Sequence, residues 1–64
     1  MMYVAKIENG NVKLYDASNG FYQRTVGDSN AVSAIVQDDI VAVTYANGVV
    51  KIYTCSTGFY QRTL

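Results

Sequence analysis

Residues 20–25 read Gly-Phe-Tyr-Gln-Arg-Thr, and the same six residues return unchanged at positions 58–63. The similarity extends outwards from this hexapeptide, because residues 9–26 and 47–64 align at a spacing of 38 positions with 12 of 18 pairs identical. At the same spacing, residues 2–8 and 40–46 share no residue. A repeat unit of this length cannot bury its own apolar faces and must stack on neighbouring units. The chain is therefore a tandem repeat whose stability depends on stacking.

Length and composition predict that the fold needs support from self-association. A chain of 64 residues forms one domain at most, and a domain of this size buries only about 60% of the surface that its unfolded chain exposes. The single cysteine, Cys55, excludes an internal disulfide, and the absence of His removes the usual zinc frameworks. We therefore predict no metal and no cofactor, and a homo-oligomer.

Charge and hydropathy exclude several classes of partner. Five basic and five acidic residues give no net charge and form no basic stripe, so neither nucleic acid nor an anionic membrane surface is expected as a partner. No stretch approaches the roughly 20 apolar residues of a membrane span, and the first residues lack the pattern of a signal peptide. The sequence favours a cytoplasmic or otherwise intracellular protein.

The hydrophobic pattern is typical of an all-β protein. Short apolar and aromatic runs are separated by turn-forming residues, without the spacing of an amphipathic helix. Asn9-Gly10 is the dipeptide preferred in a two-residue type I′ turn, Asn47-Gly48 repeats this hairpin signal, and Asp38-Asp39 forms a further turn. The pattern predicts seven strands, at residues 3–8, 11–17, 21–26, 31–37, 40–46, 49–55 and 59–64.

The composition of the strands predicts sheets that are covered on both faces. Residues 41–43 and 49–50 are apolar at successive positions, and successive side chains of a strand point to opposite faces of its sheet. The chain also contains no proline, so every residue can donate to a strand ladder. Such strands belong between two neighbouring layers.

The second unit resembles a WD-repeat-like β-propeller blade. It has four short antiparallel strands, a Gly-containing hairpin before Val-Lys-Ile-Tyr, and a Thr-Gly turn before the last strand. Tyr15-Asp16 and Tyr53-Thr54 stand where that family typically has Trp-Asp, although the chain has neither Trp nor a Gly-His dipeptide. The resemblance implies antiparallel four-stranded blades that close into a propeller.

The predicted domain is one unit of about 1.75 blades: a three-stranded first blade at residues 1–26, a linker at 27–30, and a four-stranded second blade at 31–64. Propellers contain about four to eight blades, so three chains would supply six blades and four chains eight. We favour the six-bladed homotrimer over the tetramer. The first blade lacks a counterpart of residues 31–37, so alternate blades have three strands, strands are swapped, or the chain is part of a longer array. A monomeric barrel of seven strands is the alternative architecture.

The sequence contains no catalytic constellation, and we predict that the protein is not an enzyme. Without His there is no Ser-His or Cys-His pair. Asp38 and Asp39 are adjacent in a hairpin, where Asp is ordinary turn chemistry. Cys55 stands where the first repeat has Ala17, which indicates a packing role.

The repeated hexapeptide supplies the candidate functional residues. In a regular strand, Tyr22 and Arg24 share one face and Phe21, Gln23 and Thr25 the other. We expect either an interface or a ligand-binding role, with the interface favoured. The first hypothesis is a non-enzymatic propeller scaffold for macromolecular interaction, and the second is a lectin-like propeller that binds a small ligand or glycan. The candidate residues are Phe21, Tyr22, Gln23, Arg24, Phe59, Tyr60, Gln61 and Arg62.

Overall fold

The computed structural model describes residues 2–64, and in this range the chain forms two antiparallel sheets and no helix. The all-β prediction is confirmed. The strands are β1 (Tyr3–Glu8), β2 (Asn11–Asp16), β3 (Tyr22–Val26), β4 (Ala31–Gln37), β5 (Ile40–Tyr45), β6 (Val50–Thr54) and β7 (Tyr60–Thr63). The first sheet has the order β1-β2-β3 and the second the order β4-β5-β6-β7, so each sheet is a simple meander.

The two sheets bury one shared apolar core. Val12 and Leu14 of the first sheet and Val41 and Val43 of the second have no solvent exposure, and all four belong to one cluster. Two backbone hydrogen bonds fix the C-terminal end of the connection between the sheets: Ala31 N donates to Gly10 O (2.8 Å), and Ala46 N donates to Asn30 O (2.9 Å).

The two Asn-Gly hairpins differ in structure. Asn9 and Gly10 both have positive φ (53° and 79°), as the predicted type I′ turn requires. In the second hairpin Tyr45 N donates to Val49 O (2.8 Å), which leaves three residues, 46–48, in the loop. Of its Asn-Gly pair only Gly48 has positive φ (86°), which is the geometry of a three-residue hairpin with a terminal glycine.

The extra hairpin residue corrects the alignment of the repeat. Tyr3 pairs with Asp16 and Ile40 pairs with Thr54, so β1 and β5 are equivalent at a spacing of 37 positions, while β2 and β6 keep a spacing of 38. At the corrected spacing Val4-Ala5 matches Val41-Ala42. The lack of shared residues in these strands at 38 positions is therefore the effect of one additional hairpin residue, not of complete divergence.

Each sheet has an inner face, turned to the other sheet, and an open face. The strand register assigns every side chain to one of them, because alternate residues point in opposite directions. The open face of the first sheet carries Val4, Lys6, Glu8, Asn11, Lys13, Tyr15, Tyr22 and Thr25. The open face of the second sheet carries Ser33, Ile35, Gln37, Ile40, Ala42, Thr44, Val50, Ile52, Thr54, Arg62 and Leu64.

Candidate functional site

The two hexapeptides adopt the same local structure at β3 and β7, the last strand and one of the two edges of each sheet. Tyr22 stacks edge to face on Tyr15 with a ring-centroid distance of 5.9 Å, and Tyr60 stacks on Tyr53 at 5.8 Å. Each tyrosine also shares a hydrogen bond with the threonine three residues later, at 2.8 Å in the first copy and 2.6 Å in the second. The two copies of the hexapeptide therefore share their side-chain contacts as well as their sequence.

A β-bulge overturns the predicted distribution of these side chains between the faces. Tyr15 pairs with Tyr22 but Leu14 pairs with Arg24, so Gln23 is an extra residue in the strand. An extra residue shifts the alternation by one position. Tyr22 therefore lies on the same face as Thr25, and Arg24 lies on the opposite face. The predicted sharing of one face by Tyr22 and Arg24 is wrong, and so is that of Tyr60 and Arg62, because β7 has the same irregularity.

The glutamines at the bulges make different contacts. Gln23 Nε2 donates to the carbonyl oxygen of Phe21 at 3.3 Å, whereas Gln61 Nε2 donates to Thr54 Oγ1. The preceding Phe21 and Phe59 are 69% and 73% exposed. The aromatic and amide groups of the hexapeptide are accessible at the outer strand of each sheet.

The arginines and the residues that end the repeats have opposite environments in the two copies. Val26 is 1% exposed between the sheets, whereas its counterpart Leu64 is 77% exposed. Arg24 is also on the inner face, where its Nε is buried without a hydrogen-bond partner among the described residues. Arg62 is exposed on the open face of the second sheet.

Gly58 and Gly20 show the same asymmetry. A Cβ atom at Gly58 would lie 3.4 Å from Arg24 Cδ and 3.7 Å from Val26 Cγ1, whereas one at Gly20 would have no neighbour among residues 2–64 within 4 Å. The inner face of the first sheet thus packs against Gly58, and no described residue of the same chain covers the equivalent surface at Gly20.

These pairs follow a general relation between the faces. The open face of the second sheet is the repeat equivalent of the inner face of the first, since Val50, Ile52 and Leu64 correspond to Val12, Leu14 and Val26. Conversely, the open face of the first sheet corresponds to the inner face of the second. Each open face is therefore equivalent, position by position in the repeat, to an inner face that is already packed inside the chain.

The open face of the first sheet contains a shallow groove of about 360 Å³. Its lining residues are Val4, Lys6, Tyr15, Asp16, Ala17 and Gly20. Their counterparts in the second sheet include Tyr53, Cys55 and Gly58. The groove is thus the repeat equivalent of the surface that receives Arg24 and Val26 inside the chain.

Tyrosine hydroxyls at equivalent positions also make equivalent contacts. Inside the chain the Tyr45 and Tyr53 hydroxyls are 2.9 Å apart, and Tyr45 also accepts from Asp28 N at 3.1 Å. Burial raises the pKa of Tyr53, and the bonded hydroxyl adds to the shift. On the open face Tyr15 donates to Glu8 Oε2 at 3.0 Å, which raises the pKa of this tyrosine.

A polar cleft that the sequence did not indicate lies beside Tyr45. Its volume is about 380 Å³. Lys51 Nζ lies 3.6 Å from Asp28 Oδ2 and 5.5 Å from the centre of the Tyr45 ring. The cleft is formed by the linker and the longer second hairpin, which are far apart in sequence, and so only the folded chain reveals it.

Asp39 and Asp16 both make structural hydrogen bonds to serines in turns. Asp39 accepts from Ser56 N at 3.0 Å and from Ser56 Oγ at 2.7 Å. Asp16 accepts from the backbone and hydroxyl groups of Ser18 at 2.8 and 2.6 Å, and the hydroxyl bond is the main reason that the pKa of Asp16 is lowered. Burial raises the pKa of the Cys55 thiol to about 11, so it is protonated at neutral pH.

Comparison with known proteins places the chain in one family. A family model described as Helicobacter pylori IceA2 protein matches residues 1–64. The chain belongs to the IceA2 family. No curated protein and no solved structure matches it. The family description states no activity or ligand.

Within the described part of the IceA2-family chain, no helix is long and apolar enough to cross a membrane.

Proposed function

We propose that this IceA2-family chain is a non-enzymatic scaffold whose copies associate head to tail and close into a β-propeller. The observation that carries the proposal is the relation between the faces: both open faces repeat surfaces that pack together inside the chain. A second copy can therefore place the open face of its first sheet on the open face of the second sheet by the contact that the chain already uses internally. The WD-repeat-like resemblance supports the same arrangement.

The exposed apolar residues support this direction of association. Ile35, Ile40 and Leu64 on the second sheet are 68%, 38% and 77% exposed, and Val4 on the first sheet is 50% exposed. In the proposed contact Leu64 and Arg62 enter the groove at Gly20 of the next copy, as Val26 and Arg24 pack at Gly58 within one chain. Burial of a leucine side chain contributes about 2 kcal/mol.

Head-to-tail contacts between unlike faces form a ring when the rotation closes and a filament when it does not. Each chain contributes two sheets, so three copies give a six-bladed ring and four copies an eight-bladed ring, both within the range of known propellers. We favour the trimer. Such a ring would recognise another macromolecule through its loops or at the mouth of its central channel, with each surface presented several times.

Paired cysteines test the proposed contact. In a Cys55→Ala background, Gly20→Cys with Leu64→Cys should produce disulfides between copies under mild oxidation, and the covalent series should end at one closed species. Val26→Cys with Gly58→Cys is the matched control, because the same contact exists there within one chain and should give a cross-linked monomer. If the control pair forms its cross-link and the first pair gives no intermolecular product, head-to-tail docking is contradicted. A series of covalent oligomers that grows without limit would contradict ring closure.

The alternative is a lectin-like propeller, favoured by the aromatic residues that stay accessible in both repeats. Tyr60 lies on an inner face and is still 55% exposed, and Tyr22 on the open face is 54% exposed. Since docking between copies would place Tyr22 in the environment that Tyr60 already has, both would stay accessible. An aromatic ring with a nearby amide can stack on and hydrogen-bond a sugar. Replacement of Tyr22 and Tyr60 by Ala should abolish binding to a glycan array without changing the mass of the assembly. Loss of the assembly would instead assign these residues to packing.

A further inference from the structure

The first sheet has an open edge where the second sheet has an additional strand. β5 pairs with both β4 and β6, whereas within residues 2–64 its counterpart β1 pairs with β2 alone. β1 and β5 share Val-Ala at equivalent positions. The backbone edge that receives β4 in the second sheet is therefore repeated in the first sheet, where no described residue pairs with it.

The hydrogen-bonding groups of this edge can be assigned from the register. Ala17 N donates to Met2 O at 3.0 Å, so Met2 directs its carbonyl group to β2. Residues of an antiparallel edge strand direct their N–H and C=O groups alternately towards and away from the partner. Tyr3, Ala5 and Ile7 therefore direct theirs away from β2, as Ile40, Ala42 and Thr44 direct theirs to β4.

From this edge we infer a second binding site, in which β1 receives an extended peptide of a partner protein as an additional antiparallel strand. Main-chain hydrogen bonds supply affinity in this mode of recognition, and alternate side chains supply specificity. The site is present in a single chain and does not depend on ring formation.

The pairing of β4 with β5 predicts the residues of the bound strand. Val36 and Ala34 lie opposite Val41 and Val43, and the equivalents of those two valines in β1 are Val4 and Lys6. An apolar residue therefore suits the position opposite Val4, whereas an acidic residue suits the position opposite Lys6, since opposite charges directly across a pair of strands are favourable. The preferred partner segment is therefore an apolar strand with one acidic residue. This acidic residue lies opposite Lys6, and the apolar residue two positions after it lies opposite Val4.

A peptide with the sequence of Ala31–Gln37, Glu in place of Ala34 and lysines added at both ends for solubility, is a direct probe. We expect its fluorescence anisotropy to rise on titration with the protein, and we expect the amides of Tyr3, Ala5 and Ile7 to become protected from hydrogen exchange. Lys6→Glu should weaken binding about tenfold, and a peptide with Lys at the same position should restore it. Failure of the probe to bind, or protection of other amides instead, would overturn the inference.

Two further variants remove the edge itself. Ala5→Pro deletes an N–H that points away from β2, a position at which an edge strand tolerates proline, and binding should fall at least tenfold while the thermal unfolding curve confirms folding. A chain extended at its N-terminus by a second copy of residues 31–39 should fill the edge from within and no longer bind the probe. Undiminished binding by both variants would refute the edge site.

The same titration on Leu64→Ala separates this inference from the proposed ring. If Leu64→Ala dissociates the assembly and still binds the probe, the edge site stands independently of the ring. If the wild-type assembly forms and the probe does not bind, the ring stands and the edge site fails.

Discussion

Replacement of Leu64 by Ala tests the proposed contact at its most exposed apolar residue. Leu64 is 77% exposed in a single chain, and its counterpart Val26 is 1% exposed. If docking buries Leu64 as the fold buries Val26, the substitution costs about 2 kcal/mol at each contact. The loss over three contacts is about 6 kcal/mol, and dissociation of one trimer into three monomers then shifts its midpoint concentration upward roughly 100-fold.

Sedimentation velocity over a dilution series measures that midpoint, and Phe59→Ala is the matched control. Phe59 is 73% exposed, nearly as much as Leu64, but its counterpart Phe21 stays 69% exposed next to the packed interface inside the chain. Phe59→Ala should therefore leave the midpoint unchanged although it removes a larger apolar side chain. Equal shifts for both variants would show that general surface hydrophobicity drives association, and no shift for Leu64→Ala would refute docking through this face.

Three further predictions concern single residues of the fold. Gly27→Ala should lower the free energy of unfolding by about 3 kcal/mol in a denaturant titration, since Gly27 has a φ of 73° and abuts two tyrosine hydroxyls. Gly48 has a φ of 86° and no described neighbour within 4 Å, so Gly48→Ala should cost only about 1 kcal/mol. The pKa of Asp16 is lowered from its ordinary value of 3.8, so its ionised carboxylate stabilises the fold at pH values above 3.8, and this stabilisation is lost as the pH falls through the lowered pKa. Ser18→Ala should therefore be less stable than the wild type at neutral pH, and thermal melts should show that this difference vanishes in acid. The Cys55 thiol, which is buried with a pKa of about 11, should react with a thiol reagent at neutral pH only after unfolding, and rapid labelling of the native protein would contradict its packing.

Sequence pattern predicted the strands well because turn chemistry and strand composition agree along this chain. Asn9-Gly10 formed the expected two-residue turn, whereas Asn47-Gly48 formed a hairpin with a three-residue loop, because a dipeptide does not fix the length of its loop. A single added residue there changed the spacing of the repeat and concealed the match between Val4-Ala5 and Val41-Ala42.

The candidate site was less predictable because a β-bulge leaves no clear signal in a short strand. The alternation rule placed Tyr22 with Arg24, and the extra residue Gln23 separated them. The difference in burial between Val26 and Leu64 could not be predicted either, because similar residues at equivalent positions of a repeat do not indicate which copy is buried. Burial of one copy and exposure of the other become visible only once the two sheets are packed.

The mass of the protein in solution, measured by light scattering over a range of concentrations, tests head-to-tail closure most directly. Closure of a six-bladed ring predicts a mass three times the 7.0 kDa of one chain, with no larger species as the concentration rises. A mass of 7.0 kDa at every concentration would show that the two open faces remain in contact with water, and it would contradict the ring.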